Sequence, residues 1–329
     1  MNTFGRSLLG MTAAGALMVG LATGAAAGEK WDMPLAYAAT NYHSENAAAF
    51  AKAVTEATGG ELEIVTHPSG SLFKGGEIFR AVRTGQAPIG ERLISALGNE
   101  HAMFEIDALP FLATSFADAK NLHDATRPYL EEILAEKGVK LLYAVPWPPQ
   151  GLYNKAAVSS AADMKGVKFR AYNQATSRLA ELMGAVPTKI EAAELSQAFA
   201  TGVADSMISS GSTGYDRKIW EHVEYWYDVQ AWLPKNMVVV NMDAWNGLDE
   251  NTRGIVMDAA ATAEQNGWAK AEELADWYKE QLAANGMTVE GPSDALKADF
   301  QAIGDTMRKE WLERAGDVGV QAIEAYMKM

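Results

Sequence analysis

The sequence predicts an α/β protein with two lobes, and three observations support this fold class. Apolar stretches typical of strands alternate with stretches that repeat apolar residues at helical spacing, as in a largely parallel sheet covered by helices. Three prolines within residues 146–149 interrupt the alternation, and a second α/β series follows them. The chain has 329 residues, 48% of them hydrophobic, so it can bury the cores of two lobes.

The first series runs from the N-terminal region to the prolines. Ser44 is the predicted N-cap of the first helix, and Gly59 and Gly60 end that helix. Pro128 is expected to interrupt a later helix. The other predicted elements are strands at residues 31–38, 61–65, 87–90 and 139–145 and helices at residues 77–83 and 117–136.

The second series follows the proline segment, which we interpret as a crossing between lobes. A return crossing is expected near residues 232–234, and the helical run 249–284 is long enough to span both lobes. The predicted boundaries are 28–149 plus about 235–280 for lobe I, and 150–234 plus about 281–329 for lobe II. The predicted strands are 167–172, 186–190, 204–209, 237–241 and 287–290, and the predicted helices are 174–182, 192–200 and 293–328, the last with a break near Gly316.

Residues 1–27 are typical of a cleavable signal peptide. Arg6 precedes an apolar run, and Ala25, Ala26 and Ala27 offer a small-residue cleavage site. A single membrane anchor is the alternative, but the run is rich in Gly and Ala and has no charged stop-transfer flank. We therefore expect export to a bacterial periplasm.

Composition excludes several classes of function. The net charge of −14 lacks the basic surplus that a nucleic-acid-binding protein needs. The chain has no cysteine, which rules out disulfides, thiolate catalysis and cysteine metal sites. No phosphate-binding glycine loop or nucleophile elbow is present, and the five histidines are scattered. We expect no metal, no cofactor and no catalytic residue.

One segment resembles a known family. It is Asp163-Met164-Lys165-Gly166-Val167-Lys168-Phe169-Arg170. This stretch resembles a characteristic segment of the substrate-binding proteins of TRAP (tripartite ATP-independent periplasmic) transporters. Further pieces of the same pattern occur in the expected order over essentially the whole mature chain. They are Gly75-Gly76-Glu77-Ile78, Asp107-Ala108-Leu109-Pro110-Phe111 and Gly202-Val203-Ala204-Asp205.

The resemblance implies a periplasmic solute receptor that performs no chemistry. Each lobe would be a mixed sheet flanked by helices, with one long helix spanning both. The lobes would close on a small organic acid, and the closed form would deliver it to the small and large membrane subunits of a TRAP transporter. Nothing in the sequence demands more than a monomer.

The resemblance also assigns Arg170 to the carboxylate of the ligand. A guanidinium matches a carboxylate with two parallel hydrogen bonds, although a structural arginine within the lobe is the alternative. Where many acid-binding members carry a second polar or basic anchor, this chain has the neutral Gln150. Ser209 or Ser210 stands where many members have Asn. These departures favour a monocarboxylate over a dicarboxylate or sialic acid.

The remaining candidates follow the ends of predicted strands, where sites in α/β sheets form. Glu91 could bind a cationic group of a zwitterionic solute, or else pair with Arg92. Trp147 and Trp232 would suit a planar solute or a methylated ammonium, with core packing as the alternative for each aromatic. The other candidates are Tyr37, Asn41, Asn173 and Asn236.

Rival interpretations are a receptor for a zwitterionic or cationic solute, a secreted hydrolase or lyase of the same architecture, and a structural envelope protein without ligand. The missing catalytic motifs disfavour the enzyme.

Overall fold

A computed structural model describes residues 28–329, so the predicted signal peptide lies outside the described residues. The first half of the fold contains β1 (Glu29–Pro34), α1 (Tyr42–Ala57), β2 (Leu62–His67), α2 (Ile78–Arg83), β3 (Ile89–Leu93), α3 (Phe116–Glu136) and β4 (Val139–Pro146). The chain continues through β5 (Gln150–Asn154), β6 (Lys168–Ala171), α4 (Gln174–Leu182), β7 (Val186–Lys189), α5 (Leu195–Ala200), β8 (Ser206–Ser210), α6 (Gly211–Asp216) and β9 (Tyr225–Tyr227). It ends with β10 (Lys235–Asn241), α7 (Met242–Gly247), α8 (Glu250–Ala284), β11 (Thr288–Glu290) and α9 (Asp294–Tyr326).

The strands form two groups, which we call lobe I and lobe II. Lobe I contains the parallel pair β1–β2 and the three-stranded sheet β3–β10–β4, and lobe II contains the six-stranded sheet β11–β9–β5–β8–β6–β7. The predicted boundaries near residues 149, 235 and 281 stay a prediction, because strand pairing does not show which segments move together.

The six-stranded sheet of lobe II is mixed, because it contains both parallel and antiparallel pairs, whereas the three-stranded sheet of lobe I contains only antiparallel pairs. β10 runs antiparallel to β3 and β4, and β5 runs antiparallel to β8 and β9. The expectation of a largely parallel sheet is therefore wrong for these strands. The reason is that β5 and β10 each follow a crossing segment directly. A parallel pair would need a helical crossover before the strand.

Two crossing segments join the lobes and lie side by side. The backbone N–H of Trp147 donates to the carbonyl of Pro234 at 2.8 Å, and that of Gln150 donates to Trp232 at 3.0 Å. The N–H of Ala231 returns a bond to the carbonyl of Gln150 at 3.0 Å. This short paired ribbon is the place where a hinge between the lobes would act.

The two long helices connect the lobes as well. In α8 the carbonyl of Ala263 accepts from Asn46 of lobe I, and Lys279 forms an ion pair with Asp228 of lobe II at 2.8 Å. Helix α9 begins beside lobe II, and its Trp311 Nε1 donates to the carbonyl of Ala102 in lobe I. The predicted break falls at Gly316, whose φ of 59° and ψ of −148° are not helical.

A continuous apolar core runs through both lobes. It includes Trp31 and Phe50 in lobe I and Phe169 and Leu179 in lobe II, all nearly inaccessible to solvent. None of the helices formed by residues 28–329 combines the length and apolar character needed to cross a bilayer.

Local details differ from the sequence predictions. Asn41 caps α1 by accepting from the N–H of His43 at 2.9 Å, so the predicted cap at Ser44 is wrong by one turn. Helix α3 runs through Pro128 without interruption, because packing of a long apolar face outweighs one lost backbone hydrogen bond. Strands β5 and β9 had no sequence prediction.

Candidate ligand-binding site

A cavity lies between the lobes, at the ends of strands β3, β6, β7 and β8. The empty space between the lining atoms, counted together with the open solvent at the mouth, is about 450 Å³. Its lining consists of Tyr37, Arg92, Leu93, Trp147, Gln150, Arg170, Tyr172, Glu191, Ala192, Ser209, Ser210, Thr213 and Pro234. Seven of the twelve predicted site residues are therefore brought together: Tyr37, Arg92, Trp147, Gln150, Arg170, Ser209 and Ser210.

Arg170 is the more deeply buried of the two arginines in this cavity. The side chain is 3% exposed, and its Nε donates to the carbonyl of Ile190 at 2.9 Å. The guanidinium lies 5.1 Å from the ring centre of Tyr172, a cation–π contact. Within residues 28–329 no carboxylate oxygen comes within 4.0 Å of the guanidinium. Desolvation lowers the pKa of Arg170 to about 10, so it is still charged at neutral pH and lacks a counter-ion.

A second arginine of the cavity already has a carboxylate partner. Arg92, at the end of β3 in lobe I, donates from Nη1 and Nη2 to the two carboxylate oxygens of Glu191 at 3.3 Å each. Glu191 follows β7 in lobe II, so this ion pair crosses the cleft. Arg92 is 5% exposed, whereas the side chain of Glu191 is 33% exposed.

Three hydroxyl groups share the lobe II side of the cavity lining with Arg170. Ser209 and Ser210 end β8, and Thr213 lies in the first turn of α6. The Oγ of Ser210 accepts from the N–H of Thr213 at 3.2 Å, which caps α6. The Ser209 hydroxyl makes no hydrogen bond to any described residue and is available to a ligand.

The lobe I side of the cavity is aromatic and hydrogen-bonded. Trp147 packs against Tyr37, with ring centres 4.8 Å apart, and against His43 at 4.2 Å. Its Nε1 donates to Oδ1 of Asn236 at 2.9 Å, and Nδ2 of Asn236 donates to Oε1 of Glu91 at 3.1 Å. This chain of hydrogen bonds fixes the plane of the Trp147 indole.

Glu91 belongs to that supporting chain and does not line the cavity. It is 2% exposed, and desolvation raises its pKa to about 8. Glu91 is thus absent from the lining of the cavity, and it does not pair with Arg92. The reason is that adjacent residues of β3 point to opposite faces of the sheet, so only one of the two can face the cleft.

Four other predicted residues lie outside the cavity lining and hold the structure around it. Asn41 donates across the cleft to Asp216 at 2.6 Å, and Asn173 donates across it to Ser95 at 2.9 Å. Trp232 donates from Nε1 to the hydroxyl of Tyr172 at 3.0 Å. Asn236 supports Trp147 as described. Each lies near a strand end, as predicted, but its side chain already makes hydrogen bonds to other residues of the protein.

Sequence reasoning missed three polar lining residues: Tyr172, Glu191 and Thr213. Tyr172 is two positions after Arg170, and the two-residue period of a strand would have placed it on the same face. Glu191 comes directly after β7, where the strand-end rule applies equally. No pattern in the sequence distinguished Thr213 as a lining residue.

No group of three His, Asp or Glu side chains within residues 28–329 is arranged to hold a metal ion. The lining offers hydrogen-bond donors and one uncompensated positive charge instead.

Two lobes joined by a paired ribbon, with a small polar cavity closed between them, define an α/β solute-binding protein. The chain belongs to the bacterial extracellular solute-binding protein family 7, DctP, whose family model matches residues 35–314. The resemblance to TRAP solute-binding proteins is thereby confirmed.

Several relatives show how close the match is. A TRAP solute-binding protein from a marine metagenome, described as specific for pyroglutamate, is 52% identical, with a TM-score of 0.91 over 92% of this chain and 99% of that chain. DctP6 of Bordetella pertussis, a receptor binding pyroglutamic acid, is 47% identical, with a TM-score of 0.90 over 91% and 100%. The ectoine/5-hydroxyectoine-binding periplasmic protein UehA of Ruegeria pomeroyi is 22% identical over 93% of this chain and 92% of its own.

Proposed function

We propose that this protein is a periplasmic receptor for pyroglutamate, a cyclic monocarboxylate, and that it delivers this solute to a TRAP-type membrane transporter. The observation that carries the proposal is Arg170, a buried guanidinium without a counter-ion at the end of β6. A charge buried in this way is stabilised when an anion completes its hydrogen bonds.

The charge balance of the cavity supports one carboxylate. Among the described residues, the charged side chains in the lining are Arg92, Arg170 and Glu191. Arg92 and Glu191 neutralise each other, so a net charge of one positive unit is left at Arg170. A monoanion restores neutrality, whereas a dianion or a cation does not.

The uncharged lining suits a small lactam ring. The hydroxyl of Ser209 offers a hydrogen bond to the amide N–H or C=O of the ring, and Trp147 offers an apolar face to the ring carbons. Pyroglutamate combines one carboxylate, one lactam and one apolar ring edge. Three solved receptors that are 45–52% identical to this chain are described as binding pyroglutamate or pyroglutamic acid.

In the proposed cycle the two lobes separate at the paired ribbon, admit the solute and close on it. Three side-chain bridges across the cleft then accompany closure: Arg92–Glu191, Asn41–Asp216 and Asn173–Ser95. The predicted signal peptide 1–27 would bring the chain to the periplasm. One copy supplies every lining residue, so the receptor is proposed to act as a monomer toward the small and large membrane subunits.

Isothermal titration calorimetry of the mature protein with L-pyroglutamate tests the proposal. We expect binding of pyroglutamate and much weaker binding of proline, which has the same ring but an ammonium group, and of cyclopentanecarboxylate, which lacks the lactam. Tighter binding of proline would instead favour the zwitterionic alternative. Turnover of pyroglutamate to a product, detected by mass spectrometry, would favour the enzyme.

Arg170→Gln tests the anchor directly. Removing one partner of a buried charge pair costs about 2–5 kcal/mol, so the affinity for pyroglutamate should fall at least about thirtyfold. Arg80→Gln is the matched control, because Arg80 is exposed on α2, and its affinity should equal the wild-type value. Unchanged binding by Arg170→Gln would refute the carboxylate anchor.

A further inference from the structure

In the ion pair between Arg92 and Glu191, a carboxylate of the protein itself occupies one of the two guanidinium groups of the cavity. We propose that Glu191 is a specificity-determining residue, which excludes dicarboxylates by occupying the position at Arg92 that a second ligand carboxylate would take. This inference rests on the proposed function and deepens it, since it explains why one carboxylate is accepted and two are not.

The geometry is that of a carboxylate held by an arginine fork. Both terminal nitrogens of Arg92 face both oxygens of Glu191, with one 3.3 Å contact for each. A substrate dicarboxylate anchored on Arg170 would need the same fork for its other end. Glu191 follows directly after Ile190, whose carbonyl accepts from Arg170 Nε, so the internal carboxylate and Arg170 lie on the same lobe.

The surrounding backbone keeps the pair in place. A methyl group built on Gly75 would lie 3.1 Å from Arg92 Nη1 and 3.1 Å from Glu191 Oε2. The Gly75–Gly76 segment therefore covers the pair closely, and larger residues there would press on it. The absence of side chains at Gly75 and Gly76, in the family-like segment Gly75-Gly76-Glu77-Ile78, thus leaves room for the ion pair.

Glu191 is ionised in this setting. Burial raises the pKa of its carboxyl, but the charge and hydrogen bonds of Arg92, helped by Lys189 and Arg170, outweigh burial and hold the pKa below its ordinary value. Glu91, the neighbour of Arg92 in sequence, cannot take over the role because it is bonded to Asn236 on the other face of β3.

Glu191→Gln separates this role from that of a simple closure contact. The substitution keeps the side-chain shape, frees Arg92 and raises the net cavity charge to two positive units. We expect binding of glutarate or succinate to increase about tenfold to hundredfold relative to wild type, the range for a new hydrogen-bonded charge pair. Glu194→Gln is the matched control, because it removes the same charge from a neighbouring exposed position, and should not change dicarboxylate binding.

The double variant Arg92→Gln/Glu191→Gln completes the experiment. It removes both members of the pair and returns the cavity to one positive unit, so the gain in dicarboxylate binding should disappear. Calorimetric titrations with glutarate, succinate and pyroglutamate are run on all four proteins, and circular dichroism confirms that each is folded.

Failure of the proposed function and failure of this inference give different results. Failure of the wild-type protein to bind pyroglutamate would overturn the proposed function. The dicarboxylate titrations would still test whether Glu191 keeps a second carboxylate away from Arg92. If Glu191→Gln weakens pyroglutamate binding and gains no dicarboxylate binding, Glu191 is only a contact that holds the lobes together, and the inference is wrong. The same conclusion follows if the double variant binds dicarboxylates as well as Glu191→Gln does.

Discussion

The two walls of the cavity are built in opposite ways. On the lobe I wall the indole N–H is already used: Trp147 donates to Asn236, and Asn236 donates to Glu91. On the lobe II wall, Arg170 keeps its terminal nitrogens open and Ser209 keeps a hydroxyl open. The lobe I wall therefore provides a rigid surface, while the lobe II wall provides the donors and acceptors that determine which ligand binds.

Breaking the saturated wall should have the largest effect on stability. Asn236→Ala leaves the Trp147 N–H and the Glu91 carboxyl without a partner in a buried place, at about 1–3 kcal/mol for each group. We expect the free energy of unfolding to fall by about 2–6 kcal/mol in urea titrations. The exposed substitution Asn285→Ala is the control and should cost much less. A loss below about 1 kcal/mol for Asn236→Ala would show that the wall does not depend on this amide.

The same wall should make stability depend on pH through Glu91. Desolvation raises its pKa from 4.5 to about 8, so between these values the folded state keeps a proton that the unfolded state has lost. Stability contributed by this group is complete below pH 4.5 and is lost as pH rises toward 8, by up to about 1.4 kcal/mol per pH unit. His43, which faces Glu91 at 3.9 Å, has its pKa lowered well below its ordinary value by burial.

The measurement is the difference in unfolding free energy between wild type and Glu91→Gln from pH 5 to pH 8. Glu91→Gln carries no titrating proton, so the advantage of the wild type should shrink across this range. Glu61→Gln, an exposed carboxylate in the same lobe, should give a flat difference. A flat difference for Glu91→Gln would mean that Glu91 titrates normally.

The open wall should show the smallest effect on stability and a selective effect on binding. Ser209→Ala removes a hydroxyl that the protein itself does not use, so unfolding should change by less than about 0.5 kcal/mol. The affinity for pyroglutamate should fall roughly two- to tenfold, the value of one hydrogen bond. Ser71→Ala, exposed in lobe I, should leave both quantities unchanged. Lower stability with unchanged affinity would place Ser209 among the structural residues instead.

The sequence was sufficient for the parts of the fold that depend on local pattern. The long helix α8, the break at Gly316 and the strand that ends near Arg170 follow from periodicity, glycine and one family-like segment. Strand β5 was missed because the prolines before it suggested only a crossing, and its partners in the sheet are distant in sequence.

The candidate site was predictable as a region and not as a set of contacts. The strand-end rule selected Glu91 and Arg92 together, but the pleat of β3 sends them to opposite faces. Which one faces the cleft depends on the register with β10, and a single sequence does not contain that information. For the same reason Asn41 and Asn173 were predicted at the right edge, although their amides bridge the lobes.

Those bridges have a consequence for timing. Release of a solute by separation of the lobes, as proposed, breaks the links Asn41–Asp216, Asn173–Ser95 and Arg92–Glu191, because each joins a residue of lobe I to a residue of lobe II. The dwell time of the solute is then governed by a motion of the whole molecule, shared by every solute that fits. In a receptor of this design, the rate at which the lobes open sets the release rate, and differences between solutes only modify that rate.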